Sequence, residues 1–365
     1  MRYSKIIFIV GLIYCSLNSS AKILMTPYLQ AVGKNSVVVM VETDSKIPVT
    51  VNFGIGKAIN QISTEIIAID KIRKFKKGYI QKVLLSGLKS NTKYNYQVHH
   101  ENESSKVFTF YTAVEGNEEF SFAWMADCRT NIEIHKKIAN KIKEANPKFS
   151  IYGGDLCFKR NYQSWKNEFF VEEELNLISE VPFFNTVGNH EGWNQRTKAF
   201  TKAPKSASGK EDYYSFDYGQ VHFLVLNTQK KCSKNSKQYK FAEEDLKNSK
   251  ANWKIVIFHK PAYVYSHRKG KEDMKNMSKE LFVKNGVNLV FNGDSHFYQH
   301  NKVDGLDHLV IGSAGAPLYS PGNSEYTIKS VREYNYGIIK VQPDSIKVTV
   351  FNETGNVLEE IVVKK

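Results

Sequence analysis

The chain has 365 residues, 41% hydrophobic and 24% charged, with a formal net charge of +14. That is the balance of an ordinary soluble protein with room for two domains; Gly and Pro are not in excess, and the absence of repeats or low-complexity tracts excludes a repeat architecture. The excess lysines are scattered, densest at 71–77 and 230–240, with no aromatic-and-basic stripe, so a solvated surface is expected and no nucleic-acid partner.

Arg2 and Lys5 precede an apolar stretch at 6–15 that is too short to span a bilayer, and Ser19-Ser20-Ala21 supplies small residues for cleavage. Residues 1–21 therefore read as an export signal, which places the mature protein in the periplasm or outside the cell. Tyr14 before Cys15 argues against lipidation, and no later segment is apolar enough for a membrane span. The mature chain keeps Cys128, Cys157 and Cys232, an odd number that argues against a full disulfide framework. A Cys128–Cys157 pair plus one free thiol, or three small buried residues, are the alternatives.

Residues 22–115 alternate short β-rich runs with polar turns, at 36–43, 48–53, 79–85, 94–99 and 107–112, and predict a small all-β sandwich. The rhythm changes over 116–365. Strands at 120–126, 149–152, 181–187, 221–227, 253–258 and 287–291 alternate with helices at 131–144, 163–179, 238–246 and 274–284. That is an α/β pattern with strands buried between helices, closed by a meander at 336–341, 345–352 and 357–363.

Five of these strands end in polar residues. "FSFAWMADCRT" delivers Asp127, "FSIYGGDLCF" Asp155, and "PFFNTVGNHE" Asn189 and His190. "WKIVIFHKPAY" delivers His259, and "VNLVFNGDSH" Asp294 and His296. The carboxyl edge of an open α/β sheet is where ligands bind. One polar strand end is commonly a cap; five using only Asp, Asn and His point to a metal site. Carboxylate, imidazole and amide oxygen suit first-row divalent or trivalent ions. A carboxylate can bridge two such ions, and a metal pair about 3.5–4 Å apart steadies an in-line displacement at phosphorus and lowers the pKa of bound water to about 7. No Gly-x-Ser-x-Gly elbow and no phosphate-binding Gly-rich loop occurs.

The order Asp, Gly-Gly-Asp, Gly-Asn-His-Glu, His, Gly-x-x-His resembles the calcineurin-like metallophosphoesterases. "TPYLQAVGKNSVVVMVET" and "LSGLKSNTKYNYQV" resemble the fibronectin type III-like domain that precedes the purple acid phosphatase branch, although Val41 stands where that branch often has Trp. The resemblance implies a four-layer α/β/β/α sandwich with its metals at the sheet edge. It implies an exported, metal-dependent phosphoesterase acting on a small phosphate ester with a metal-activated hydroxide, and two divalent or trivalent ions drawn from iron, manganese and zinc. By position, Asp155 would bridge, Asp127 and His296 would hold the first ion, and Asn189, His259 and Asp294 the second. His190 would be the general acid or orient the phosphate, with Glu191 orienting it or fixing the turn. The segment "YVYSHRKGKED" nominates His267 as a further phosphate-facing imidazole.

Three positions depart from that pattern. Phe158 replaces the iron-binding Tyr, so no purple chromophore is expected. Asp294 replaces a His and favours manganese or iron over zinc. Arg129 replaces His or Gly; it cannot ligate but can clamp a phosphate oxygen. The first ion is then left with Asp127, Asp155 and His296, which implies an ion that is weak, water-rich or absent. Phosphate monoesters are the expected substrates; diesters or nucleotides on the same scaffold, or a non-catalytic metal or phosphate binder, are the alternatives. Oligomeric state is left open.

Overall fold

The computed structural model describes residues 21–72 and 78–365; apart from Ala21, the predicted export signal lies outside the described residues. Strand Phe120–Met125 shows how the larger part of the chain is layered. Its side chains alternate between faces, and both faces are apolar. Phe122 and Trp124 enter a central core with Phe149, Phe223, Ile255 and Phe291, while Ala123 and Met125 pack with Ile138, Ala139 and Ile142. Strand Trp253–Phe258 does the same in a second sheet: Ile255 and Ile257 share the central core, and Val256 and Phe258 face Tyr239, Ala242 and Leu246. Two sheets buried on both faces, with helices outside each, make a four-layer α/β/β/α sandwich.

Among the described residues, the second sheet has seven strands and the first has ten. In the first, Phe120–Met125, Phe149–Tyr152 and Phe183–Asn185 are parallel neighbours. In the second, Val221–Leu226, Trp253–Phe258, Leu289–Asn292 and Leu306–Ile311 run parallel. The N-terminal all-β domain supplies the last four strands of the first sheet. Tyr28–Gln30 pairs in parallel with Phe183–Asn185 and is followed outward by Ser36–Thr43, Tyr79–Ser86 and Ile66–Lys71. Hydrogen bonding therefore crosses between the two domains. Side chains reinforce the join: the Tyr28 hydroxyl donates to the Phe200 carbonyl and that of Tyr96 to the Ser179 carbonyl, both at 2.8 Å.

Local chemistry explains where elements begin and break. The helix expected at 131–144 is Ile132–Ala145, started by the Asn131 side chain accepting from the Ile134 amide and ended by Asn146 at φ 49°. Its buried residues, His135, Ile138, Ala139 and Ile142, fall on one stripe. The single helix expected at 163–179 is broken into Tyr162–Ser164, a π turn over Trp165–Phe169, and Glu172–Ile178. The extra residue of a π turn rotates the face, and the consecutive Phe169 and Phe170 both pack inward, each against Trp165. The helix expected at 274–284 likewise becomes Glu272–Met277 and a π turn over Ser278–Phe282. Strands Tyr214–Tyr218, Tyr298–Val303 and Thr327–Val331 were not legible in the pattern. Cys128, Cys157 and Cys232 are buried and free, so no Cys128–Cys157 bridge forms. No helix among the described residues is long and apolar enough to cross a membrane.

Candidate metal centre

Three loops of the first sheet and two of the second meet where the carboxyl ends of their parallel strands converge. Asp127, Asp155 and Asp294 each take a left-handed backbone, at φ 57°, 55° and 65°. Aspartate tolerates that region better than most residues, and three such turns in one place mark a site where backbone strain is held by its surroundings. Cross-loop bonds do the holding. The Asp127 amide donates to the Gly154 carbonyl, and the Asp294 amide donates to Asp127 Oδ2, both at 2.9 Å. The His190 amide donates to Asp155 Oδ1 at 2.8 Å.

The turn at 188–192 has two glycines for two reasons. Gly192 sits at φ +54°. At Gly188 a Cβ would lie 2.1 Å from the Asp155 amide nitrogen, so only a glycine lets the loops touch. Glu191 fixes this turn and is not bonded to His190: its Oε1 accepts from the Gly188 amide at 2.6 Å and the Asp155 amide at 3.1 Å. Arg160, which the sequence did not single out, clamps the same turn through the carbonyls of Asn189 and His190.

The imidazoles are oriented from behind. His259 Nδ1 lies 2.7 Å from the Gly153 carbonyl, and His296 Nδ1 lies 2.7 Å from the Pro317 carbonyl. A carbonyl only accepts, so Nδ1 carries the proton and Nε2 faces the carboxylates. His259 Nε2 is 3.4 Å from Asp155 Oδ1 and 3.6 Å from Asp294 Oδ1; His296 Nε2 is 3.5 Å from Asp127 Oδ1. Burial pulls the His259 pKa down, but the carboxylates of Asp155, Asp127, Asp294 and Glu191 outweigh it and push it up to about 9. Burial raises the Asp127 carboxyl, and burial with the Asp155 charge pushes Glu191 up to about 7. The cluster is short of positive charge.

Its unpartnered atoms say where that charge belongs. Asp127 Oδ1, Asn189 Oδ1 and His259 Nε2 are buried without a hydrogen-bond partner. Ligand atoms of Asp127, Asp155 and His259 lie within 4.8 Å of one another. Carboxylates and an imidazole nitrogen on one buried spot, with the unpartnered amide oxygen of Asn189 on the loop whose next amide bonds Asp155, fit a first-row metal ion, and binding it would displace protons the cluster otherwise holds.

Two guanidiniums border the spot. Arg129, 6% exposed, has Nε 3.4 Å from Asp155 Oδ2 and Nη2 3.4 Å from His296 Nε2. Arg268 has Nη1 3.3 Å from Asp294 Oδ2 and Nη2 3.0 Å from the Tyr319 hydroxyl, whose ring stacks on His296. His267 is exposed, its ring edge-on to Tyr319; from its loop the side chain that reaches the cluster is the adjacent Arg268. The sequence signal for Arg268 was Asp294 itself, an anion where the resemblance has a neutral ligand. Phe158 is half-exposed and lies flat on His190, whose Nδ1 donates to the Phe158 carbonyl at 2.8 Å.

Comparisons with known proteins give the family and the fold. A calcineurin-like phosphoesterase family model matches residues 120–298, and the purple acid phosphatase N-terminal domain matches residues 26–112. The chain is 26% identical over 271 residues to a purple acid phosphatase of Glycine max, covering 67% of this chain and 58% of that protein. It is 27% identical over 289 residues to the Fe(3+)-Zn(2+) purple acid phosphatase 12 of Arabidopsis thaliana, covering 68% and 60%. It is also 27% identical over 316 residues to the probable inactive purple acid phosphatase 9 of that plant, covering 67% and 48%. The chain spans about half the length of the curated relatives it matches. The fold is that of the purple acid phosphatase PPD1 from yellow lupin (Lupinus luteus) seeds, with a TM-score of 0.80 at 18% identity over 94% of this chain and 74% of that one. The chain belongs to the calcineurin-like phosphoesterases and carries the purple acid phosphatase N-terminal domain.

Proposed function

We propose that this member of the calcineurin-like phosphoesterases hydrolyses phosphate monoesters in a metal-dependent reaction. The observation that carries the reading is the set of orphaned ligand atoms, Asp127 Oδ1, Asn189 Oδ1 and His259 Nε2, one residue away from an oriented imidazole. Bound metal would supply Lewis acidity and an acidified water. Asp127, Asp155, Asn189, His259, Asp294 and His296 are the residues that would hold it. His190, with Nδ1 bonded to Phe158 and 23% of its side chain exposed, points Nε2 to within 3.7 Å of Asp155 Oδ2. Protonated, that nitrogen can deliver a proton to a departing alkoxide. Arg129 is placed to pair with a phosphoryl oxygen. Hydrolysis outside the cytoplasm is part of the proposal and rests on residues 1–21 as an export signal.

A second reading is a non-catalytic binder, favoured by the relative that is named probable inactive. Replacing His190 by Ala separates the two. An alkyl phosphate needs its leaving oxygen protonated, whereas a nitrophenolate leaves with little help. H190A is expected to lower turnover of the alkyl ester by about 10²–10⁴-fold and that of the nitrophenyl ester far less, with metal content unchanged. Equal losses on both esters would assign His190 to phosphate orientation. No wild-type turnover on either ester with metal bound would establish the binder.

A further inference from the structure

The family resemblance implies two metal ions, the first on Asp127, Asp155 and His296. Of those three groups the side-chain geometry leaves Asp127 Oδ1 unpartnered but occupies the other two. His296 Nε2 has one lone pair, because Nδ1 spends its proton on the Pro317 carbonyl, and that lone pair faces Arg129 Nη2 at 3.4 Å. The second oxygen of Asp155 faces Arg129 Nε at 3.4 Å. At this length the contacts are weak as hydrogen bonds. Their weight is electrostatic, since a guanidinium is always charged and this one lies in contact with two of the three groups a first ion would need.

Arg129 is also held in place. Its guanidinium lies over the Phe158 ring, 5.5 Å from the centroid, and Nη1 reaches the Thr130 hydroxyl at 3.4 Å. The backbone beneath is pinned: Thr130 stands at φ 79°, the Cys128 carbonyl is bonded by His135 Nδ1 at 3.0 Å, and the Asn131 amide bonds the carbonyls of Arg129 and Gly315. Asn189 Oδ1, His259 Nε2 and Asp127 Oδ1 lack partners, while His296 Nε2 and the Asp155 oxygens have them.

We infer that the Arg129 guanidinium stands in place of the first metal ion, so that the chain holds a single ion on Asp127, Asp155, Asn189 and His259. Charge agrees with one ion. Of the four carboxylates acting on His259, Asp155 and Asp294 are already paired with Arg129 and Arg268, which leaves Asp127 and Glu191 for one divalent ion to balance. Phe158 has a role in this arrangement as the platform for the guanidinium. The inference rests on the metal-centre reading and changes its stoichiometry.

The test is a count. The full chain is loaded with Mn(II), freed of loose ion by gel filtration, and measured by elemental analysis and electron paramagnetic resonance. One ion per wild-type chain with an isolated-ion spectrum is expected. R129A is expected to hold two, with an exchange-broadened spectrum, and R129A/H296A one again. Two ions per wild-type chain, or R129A still at one, would overturn the inference. Where R129A fails to fold by circular dichroism, the wild-type count decides alone. No ion at all would remove the metal-centre reading along with this one. One ion with no turnover on any phosphate ester would remove the hydrolase reading and leave this one standing.

Discussion

Two clusters of buried polar side chains share the loop after strand Phe120–Met125, and they differ in one respect. In the first, His135 is bonded on both nitrogens, to the Cys128 carbonyl at 3.0 Å and to Glu174 Oε2 at 2.9 Å, and Glu174 Oε1 takes the Tyr152 hydroxyl. Every polar atom named has a protein partner, and both His135 and Glu174 are fully buried. In the second, one residue back along the chain from Cys128 at Asp127 and across to Asn189 and His259, equally buried atoms have none. A closed polar circuit is architecture; it aligns the loop and asks for nothing more. An open one costs stability unless something binds, which is why such sites are functional. The difference between the two is visible only atom by atom, since both are built from carboxylate, histidine and a neighbour or two.

The largest way to break this contrast is Asp155→Ala. Asp155 meets His259, Arg129 and the His190 amide. Its loss is expected to lower bound metal and phosphatase turnover by more than about 10²-fold, beyond the range seen when only an outer-shell partner of a ligand is lost. Full activity in D155A would remove Asp155 from the centre.

Glu174→Ala should show the reverse. Leaving His135 and the Tyr152 hydroxyl unpaired in the interior is expected to cost about 3 kcal/mol, read from urea denaturation. Metal content per folded chain should be unchanged. Lost metal with unchanged stability would mean that the closed cluster belongs to the site after all.

A smaller effect comes from a further closed cluster, where His222 lies 2.7 Å from both Asp217 and Asp245. Burial lowers its pKa, but the two carboxylates override this and raise it to about 9. A histidine raised in the folded state contributes stability that is complete below its unfolded pKa, about 6.5, and is lost as pH rises through about 9. Wild type is therefore expected to lose on the order of 2 kcal/mol between pH 6 and pH 10, and His222→Gln to flatten that part of the profile. An unchanged profile in H222Q would assign the loss elsewhere.

Iron loading sharpens the comparison without changing either cluster. Phe158 offers no phenolate, so the iron-loaded wild type is expected to show no strong visible charge-transfer band. Such a band would reveal another tyrosine at the ion, with Tyr319, stacked on His296, the first to replace by Phe.

Much of this was already legible in the chain. Strands at 36–43, 253–258 and 345–352 fall where alternation or an apolar run placed them, because each is long and its period is unmixed. The six ligand-type residues Asp127, Asp155, Asn189, His259, Asp294 and His296 were marked by one local feature, a polar letter just past a buried strand. Tertiary packing decided the rest. The π turns at Trp165–Phe169 and Ser278–Phe282 accompany aromatic contacts distant in sequence, Phe169 on Tyr152, Phe170 on Phe200 and Phe282 on Phe258, which no local period encodes. The join of Tyr28–Gln30 to Phe183–Asn185 depends on strands more than a hundred residues apart and so cannot be read from either. Arg129 looked like a phosphate clamp, Arg268 was not singled out, and His267 looked like the nearer candidate. Which of them reaches the carboxylates depends on side-chain direction and on which lone pairs are already taken, and both exist only once the two sheets have brought five loops together.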